Sequence, residues 1–238
     1  MKHRLDHIMV ERKMVATRSQ AESYIRLGHV KVEGQTIKKA GYFVREDAII
    51  TLGVKTQYVS RAALKLASVS DTLGIGFINK KVLDVGSSTG GFTDYALQHG
   101  AKSVIAVDVG TDQLHPTLRG DVRIELHEKT NILDFKTDVK IDLAVIDVSF
   151  VSLRKILLHV SKLVKTGGDI VAMMKPQFEA GPAQLNKGIV KNSSHRKIIV
   201  QGFELWCKNH GFEIVKKSDS AVSGAKGNVE RFYLLRRV

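Results

Sequence analysis

Apolar and polar positions follow two different rhythms along this chain. Beyond residue 80, short apolar runs recur with helical stretches between them: VLDVG (82–86), SVIAVDVG (103–110), VRIEL (122–126), IDLAVIDV (141–148) and DIVAMMK (169–175). Runs this short and continuous predict strands buried on both faces, and intervening stretches such as 151–164 predict covering helices. Strand–helix alternation of this kind gives an α/β fold class with a mostly parallel, Rossmann-like sheet. The end of the chain departs from that rhythm. FEIVKKS (212–218) and ERFYLLRR (230–237) flank a Ser/Gly-rich turn and predict a terminal hairpin, so the last strand is expected to be antiparallel.

The first part of the chain reads differently. Leu5, Ile8, Met9 and Arg12 share one face of a helix expected over 3–14. Thr17 is the expected N-cap of a second helix that runs to Leu27 and stops at Gly28. Short strands follow at His29–Val32, Thr36–Ile37 and Ile49–Leu52, with a turn at Glu33-Gly34. The expected organisation is a small α+β domain over 1–57, ending in a linker around 54–58, and a larger domain over 58–238. That second domain opens with a helix capped by Ser60 and carrying Ala63, Leu64, Leu66, Ala67 and Leu73.

Composition narrows the class. The single cysteine, Cys207, excludes an internal disulfide framework and a cysteine-rich zinc site, and it sits with Trp206 in a helical pattern expected to be core. The nine histidines show no metal-ligand spacing, so no metal is expected. No apolar run reaches the roughly 18–20 residues of a membrane span, and the charged start MKHRLDHIMVERK is not a signal peptide. A cytoplasmic protein is the expectation. Lys+Arg 37 against Asp+Glu 24 gives a net charge of +13. The excess is shared, with 11 basic and 6 acidic residues over 1–57 and 26 and 18 over 58–238. A basic surface spread over folded domains attracts polyanions, nucleic acid above all.

LDVGSSTGGFTDYAL (83–97) is a strand, a Gly-rich turn and a helix. Gly86, Gly90 and Gly91 let backbone approach a ligand at a helix N-terminus, but the spacing is neither G-x-G-x-x-G nor that of a P-loop. Asp108 ends the next strand, 22 residues after Gly86, where a carboxylate can accept from both hydroxyls of a ribose. These features with the terminal hairpin resemble an S-adenosylmethionine-dependent methyltransferase. The resemblance implies a pocket with Gly86, Ser87, Ser88, Thr89 and Gly90 around the methionine end, Asp108 on the ribose, and Thr130 and Asn131 beside the adenine. Asp84 is either a further cofactor-side residue or a strand-end group bonding the loop backbone.

Two more resemblances follow from the motifs. RLDHIMVERKMVATRSQAESYIRLGHVKVEGQTIKKAGYFV (4–44) is similar to the S4-type RNA-binding domain, through Arg18-Ser19-Gln20-Ala21, Ile25, Gly28, Val30, Val32 and Gly34. It implies a basic face on structured RNA, with Arg4, Arg12, Lys13, Arg18, Arg26, Lys31 and Lys38 as candidates, positioning phosphates rather than reading bases. In the larger domain, Lys65, Asp147, Lys175 and Glu230 occur in the order of the tetrad of FtsJ-like ribose 2′-O-methyltransferases. With YVSRAALKL, DVGSSTGGFTD, TNILD, DVSFVSL, KPQFEAG, KGIV and SGAKGNVE, the chain is identified as resembling the TlyA family, whose members modify cytidine 2′-hydroxyls of ribosomal RNA and also carry the label hemolysin.

By that resemblance Lys175 is the base or polarising group, Asp147 orients it, and Lys65 with Glu230 positions the ribose. S-adenosylmethionine is the implied cofactor, and ribosomal RNA within ribosomal subunits is the implied partner. Ala62 and Ala63 stand where two glycines are common in the family. Two alternative classes stand beside this reading: a membrane-active lysin, for which no apolar span or strongly amphipathic basic helix is evident, and an RNA-binding module without turnover. Phe150 reads first as core and second as a stacking platform for a flipped base. The polar segment 176–193 reads as a lid beside Lys175, with Lys187, Lys191, Arg196 and Lys197 as further RNA contacts.

Overall fold

A computed structural model describes residues 2–54, 58–181, 185, 189–190, 192–222, 224 and 228–238. The N-terminal part runs β1 (Lys2–Arg4), α1 (Leu5–Glu11), α2 (Arg18–Arg26), β2 (Val30–Val32), β3 (Gln35–Thr36), β4 (Phe43–Arg45) and β5 (Ile50–Leu52). Helix α2 begins and ends for local reasons. The Thr17 hydroxyl accepts from the Gln20 N–H, and Gly28 takes the left-handed conformation, φ +79°, that stops it. Strand β2 pairs antiparallel with both β3 and β5. The pattern does not show the β1–β4 pair, because it joins two three-residue segments, KHR and FVR, that lie far apart in the chain.

Leu5, Ile8, Met9, Tyr24, Ile25 and Val30 form the core of this part, and Leu64 and Val222 of the larger part pack into the same cluster. The two parts are also tied by polar contacts. Gln20 donates to the Tyr58 carbonyl, and Arg61 donates to the Ser23 hydroxyl.

The larger part runs α3 (Arg61–Leu73), β6 (Lys81–Val85), α4 (Gly91–Gln98), β7 (Ser103–Val107), β8 (Ile124–His127), β9 (Ile141–Ile146), α5 (Leu153–Leu163), β10 (Val164–Met174), α6 (Pro176–Glu179), α7 (Ser193–Asn209), β11 (Phe212–Asp219) and β12 (Arg231–Arg237). Its seven-stranded sheet has the order β11-β12-β10-β9-β6-β7-β8. Strands β9, β6, β7, β8 and β10 are parallel. Strand β12 is inserted antiparallel between β10 and β11. Strand β8 begins two residues later than VRIEL implied, leaving Val122 at the surface. Ser60 takes the expected N-cap position of α3, but its side chain caps nothing.

Strand alternation sorts the sheet into two faces. Leu83, Val85, Ala144, Ile146, Ala172 and Met174 face α5 and α7. Val82, Val145, Val171, Met173, Phe232 and Leu234 face α3 and α4. Continuing the period of two assigns Asp84, Asp147, Lys175 and Glu230 to the α3–α4 side, the side on which Lys65 lies. Strand order reverses between β6 and β9, and the carboxyl ends of strands at such a switch point frame a ligand crevice.

Candidate active site

The β6–β9 ladder ends at Val85 and Ile146, and the crevice lies just beyond it, at Gly86 and Asp147. Asp147 N–H still donates to the Val85 carbonyl at 2.9 Å. Gly86 turns away at φ +81°, and a Cβ there would lie 2.6 Å from the Asp147 carbonyl oxygen. Only glycine accommodates both the conformation and that approach. Two cavities meet at this point. The larger, about 540 Å³, is walled by Gly86, Ser88, Asp108, Thr130 and Asn131 among others. The smaller, about 150 Å³, is walled by Asp84, Ser87, Ser88, Thr89, Asp147 and Lys175 among others. The larger falls in the size range of small-molecule sites.

The carboxylate of Asp108 accepts from the Ser88 N–H at 2.8 Å and the Gly110 N–H at 2.7 Å. Those bonds hold the Gly-rich loop, and because an ionised carboxylate offers about four acceptor positions, both oxygens keep capacity for hydroxyls in the cavity. Gly90 lines neither cavity. Its left-handed conformation, φ +85°, and its crowding by Leu114 and Leu118 give it a packing role under the loop at 111–121.

Asp84 is fully buried. Its Oδ2 accepts from the Thr93 hydroxyl at 2.7 Å, while its Oδ1 has no partner among the described residues. Burial pushes its carboxyl up to about 7; the Thr93 hydrogen bond opposes this, and the nearby charges of Asp147 and Asp108 add to it. An unsatisfied, buried carboxyl at the wall of a cavity calls for a cationic or donor group there.

The four tetrad candidates are paired two by two. Lys175 Nζ lies 2.7 Å from Asp147 Oδ1, with 11% and 16% of their side chains exposed. Lys65 Nζ donates to Glu230 Oε1 at 2.9 Å, with 13% and 2% exposed. The β10–β12 register pairs Met174 with Arg231, so Lys175 and Glu230 occupy the next rung. Gly224 passes so close to Glu230 that any side chain there would collide with the carboxylate.

Several participants were not in the sequence reading. Lys175 Nζ also donates to Ser149 Oγ at 2.8 Å. The Glu179 carboxylate accepts from the Leu153 N–H at 2.6 Å and the Ser152 hydroxyl at 2.7 Å, clamping α6 to the start of α5. KPQFE and DVSFVSL each carried half of this clamp, but nothing local says that they meet. Phe150 corrects the core expectation. It is 91% exposed in a left-handed conformation, φ +64°, with its ring centroid 5.1 Å from that of Phe178. Trp206 is partly buried and Cys207 fully so, with burial pushing the thiol up to about 12.

The seven basic candidates of the N-terminal part divide. Arg4 and Arg18 both hold the buried Asp6. Burial would raise that carboxyl, but the two guanidinium groups hold it down at about 2. Arg12 donates to the carbonyls of Ala48 and Glu46. Lys13, Arg26, Lys31 and Lys38 are exposed and make no ion pair with described residues. In the larger part Arg196 is bound to Asp219, and Lys197 lies on α7. Lys187 and Lys191, with much of the expected lid and linker, lie outside the described residues. Among the described residues no helix is long and apolar enough to cross a membrane, and no group of side chains could hold a metal ion.

A parallel sheet with one inserted antiparallel strand, a Gly-rich turn at its switch point, and paired lysines and carboxylates above it define a methyltransferase domain joined to a small basic domain. Comparison with known proteins agrees. Residues 58–237 match the FtsJ-like methyltransferase family and residues 3–50 the S4 domain. The 23S rRNA (cytidine-2′-O)-methyltransferase TlyA of Campylobacter jejuni is 38% identical over 84% of this chain and 81% of its own length. The 16S/23S rRNA (cytidine-2′-O)-methyltransferase TlyA of Mycobacterium tuberculosis is 34% identical over 98% of this chain and 89% of its own. A solved structure described as a hemolysin from Streptococcus thermophilus superposes with a TM-score of 0.74 at 36% identity, covering 100% of this chain and 89% of that one. The chain belongs to the TlyA family of FtsJ-like methyltransferases.

Proposed function

We propose that this protein transfers a methyl group from S-adenosylmethionine to the 2′-hydroxyl of a cytidine in ribosomal RNA, acting on ribosomal subunits in the cytoplasm. The observation that carries the reading is the Lys175–Asp147 ion pair at the junction of the two cavities. The residues fit the cofactor on their own chemistry. The unpartnered Asp84 Oδ1 suits the ammonium of its methionine end, and the spare acceptor capacity of Asp108 suits its ribose. Thr130 and Asn131 line the larger cavity and suit the cofactor's adenine. When bound, the cofactor supplies a methyl group activated on a sulfonium.

A ribose hydroxyl is a weak nucleophile, so the chain must place its oxygen in line with the methyl–sulfur bond and deal with its proton. As an amine, Lys175 Nζ takes the hydroxyl proton; as an ammonium, it holds the developing negative charge on oxygen while solvent takes the proton. Asp147 fixes Lys175 electrostatically. Lys65, held by Glu230, presents a second cation on the same side of the sheet to position the ribose. Phe150, exposed at the rim and braced by Phe178, suits a base unstacked to bring its ribose into the cleft. Lys13, Arg26, Lys31 and Lys38 are the N-terminal cations left over for phosphates, while Arg4, Arg12 and Arg18 serve the fold first.

The test is transfer from radiolabelled S-adenosylmethionine to purified, unmethylated 30S and 50S subunits, with Lys175→Ala as control. Label in RNA with the wild-type chain, reduced at least a hundredfold in the variant, is expected. Equal labelling by the variant refutes the assignment of Lys175.

A further inference from the structure

We propose that Ser149 is a positioning residue for Lys175, its hydroxyl fixing the direction in which the Lys175 ammonium or amine addresses the substrate oxygen. The inference rests on the 2′-O-methyl transfer proposed above. Lysine ends in a compact charge on a flexible stem with three rotatable donors. An ion pair with one carboxylate oxygen sets its distance but constrains its direction weakly, since charge attraction is not directional. The structure supplies a second anchor. Lys175 Nζ lies 2.7 Å from Asp147 Oδ1 and 2.8 Å from Ser149 Oγ. Of the two contacts only the one to Ser149 has hydrogen-bond geometry, since Asp147 Oδ1 makes no hydrogen bond among the described residues, so the hydroxyl is what fixes the direction.

The location of Ser149 agrees with that role. It lines both cavities, as do Gly86, Ser88 and Asp147, and so stands where they join. A hydroxyl suits either protonation state of the lysine. It accepts from an ammonium, and it can turn its own proton toward an amine. A carboxylate in the same place would do only the first.

The frame around the contact is built to hold it. Ser149 lies between Asp147 and the left-handed turn at Phe150, four residues before Leu153 at the start of α5. Lys175 lies four residues before Glu179. The Glu179 clamp on Leu153 and Ser152 therefore pins together the two segments that carry Ser149 and Lys175. Lys175 Nζ also lies 5.8 Å from the centroid of the Phe178 ring, on that same clamped segment. Misplacing a reacting group by about 1 Å can cost about a hundredfold in rate, so a directional anchor of this kind has consequences for turnover without being needed for binding.

The experiment compares Ser149→Ala, which removes the hydroxyl without adding bulk, with Ser149→Thr, which keeps the hydroxyl, and with Ser149→Val, which has the shape of the threonine variant without its hydroxyl. Single-turnover methylation of ribosomal subunits is measured at saturating cofactor and RNA, with the Kd for S-adenosylmethionine, the KM for RNA and the Tm. The expected result is a rate about tenfold lower in S149V and S149A, a rate within about threefold of wild type in S149T, and binding constants and Tm unchanged in all three. Wild-type rates in S149V and S149A overturn the positioning role alone. So does a loss confined to Kd or KM, which would make Ser149 a ligand contact, or a threonine variant as slow as the valine one. A wild-type chain that binds the cofactor but labels neither subunit removes the reaction itself and overturns both proposals.

Discussion

Replacing Asp84 by asparagine should make this protein more stable at alkaline pH and worse at holding its cofactor. Asp84 is fully buried, and burial raises its carboxyl to about 7 from an ordinary value of 3.8. Below pH 3.8 both folded and unfolded chains carry the proton, and the side chain adds no pH-dependent term. Between 3.8 and 7 the unfolded chain releases the proton while the folded chain keeps it. The folded state then binds more protons, so stability falls as pH rises, by about 1.4 kcal/mol per pH unit. Above 7 the loss is complete, at about 4 kcal/mol as an upper bound. Asparagine does not titrate, and its carbonyl can still accept from the Thr93 hydroxyl. Whatever fixed cost its extra N–H groups impose is the same at every pH.

The readout is therefore the change with pH, not the absolute difference. Urea unfolding of both proteins at pH 4.5 and pH 8 should show the balance moving toward Asp84→Asn by about 3 kcal/mol. A difference that stays constant between those two values refutes the argument that burial controls this carboxyl. Cofactor binding supplies the second arm. A cation brought against Asp84 favours its ionised form, so wild-type affinity for S-adenosylmethionine should rise from about pH 5.5 to 6.5, more than one unit below the ordinary α-amino value of about 7.7–8.0. The variant should bind more weakly and show a flat profile over the same range.

Two further outcomes follow from the contacts. Glu179→Ala leaves the Leu153 N–H, the Ser152 hydroxyl and Arg154 without their buried partner; it should cost about 3 kcal/mol, lowering Tm by about 10 °C, and slow methyl transfer, whereas Glu179→Gln should recover most of the Tm in thermal unfolding. Asp6→Asn should cost about 1–2 kcal/mol at pH 7, because Arg4 and Arg18 hold that carboxyl at about 2 and are themselves partly solvated. That contribution is present above pH 3.8 and disappears as pH falls toward 2, so the urea midpoints of the two proteins should converge in acid.

Local signals made much of this arrangement legible before any coordinates. Thr17 and Gly28 bound a helix by their own chemistry, and a hydroxyl cap and a left-handed glycine act within a few residues. The apolar runs marked β6, β7, β9 and β10 because strands covered on both faces have no polar side to show. The Gly-rich turn and Asp108 were readable for the same reason, since their spacing is local. What failed was non-local. Pairing of β1 with β4 depends on a partner far along the chain. Phe150 was expected in the core because phenylalanine usually is, yet the turn at φ +64° exposes it and Phe178 braces it from another segment. Arg4, Arg12 and Arg18 also serve the fold, through the buried Asp6 and two backbone carbonyls, a role that no local pattern announced.

The sequence by itself determined which residues share a face. Within each strand a period of two puts Asp84 on the face of Val82, Asp147 on that of Val145, Lys175 on that of Met173 and Glu230 on that of Phe232; that these four faces form one side of one sheet is set by the register between strands. Tertiary structure alone decided that those strands lie side by side. The insertion of β12 between β10 and β11 brings Glu230 to the rung next to Lys175. The β6–β9 ladder ends where the crevice begins, and α3 brings Lys65 to within 2.9 Å of Glu230. Strand order depends on contacts between distant parts of the chain, which compete over the whole core at once, and no window of residues contains that competition.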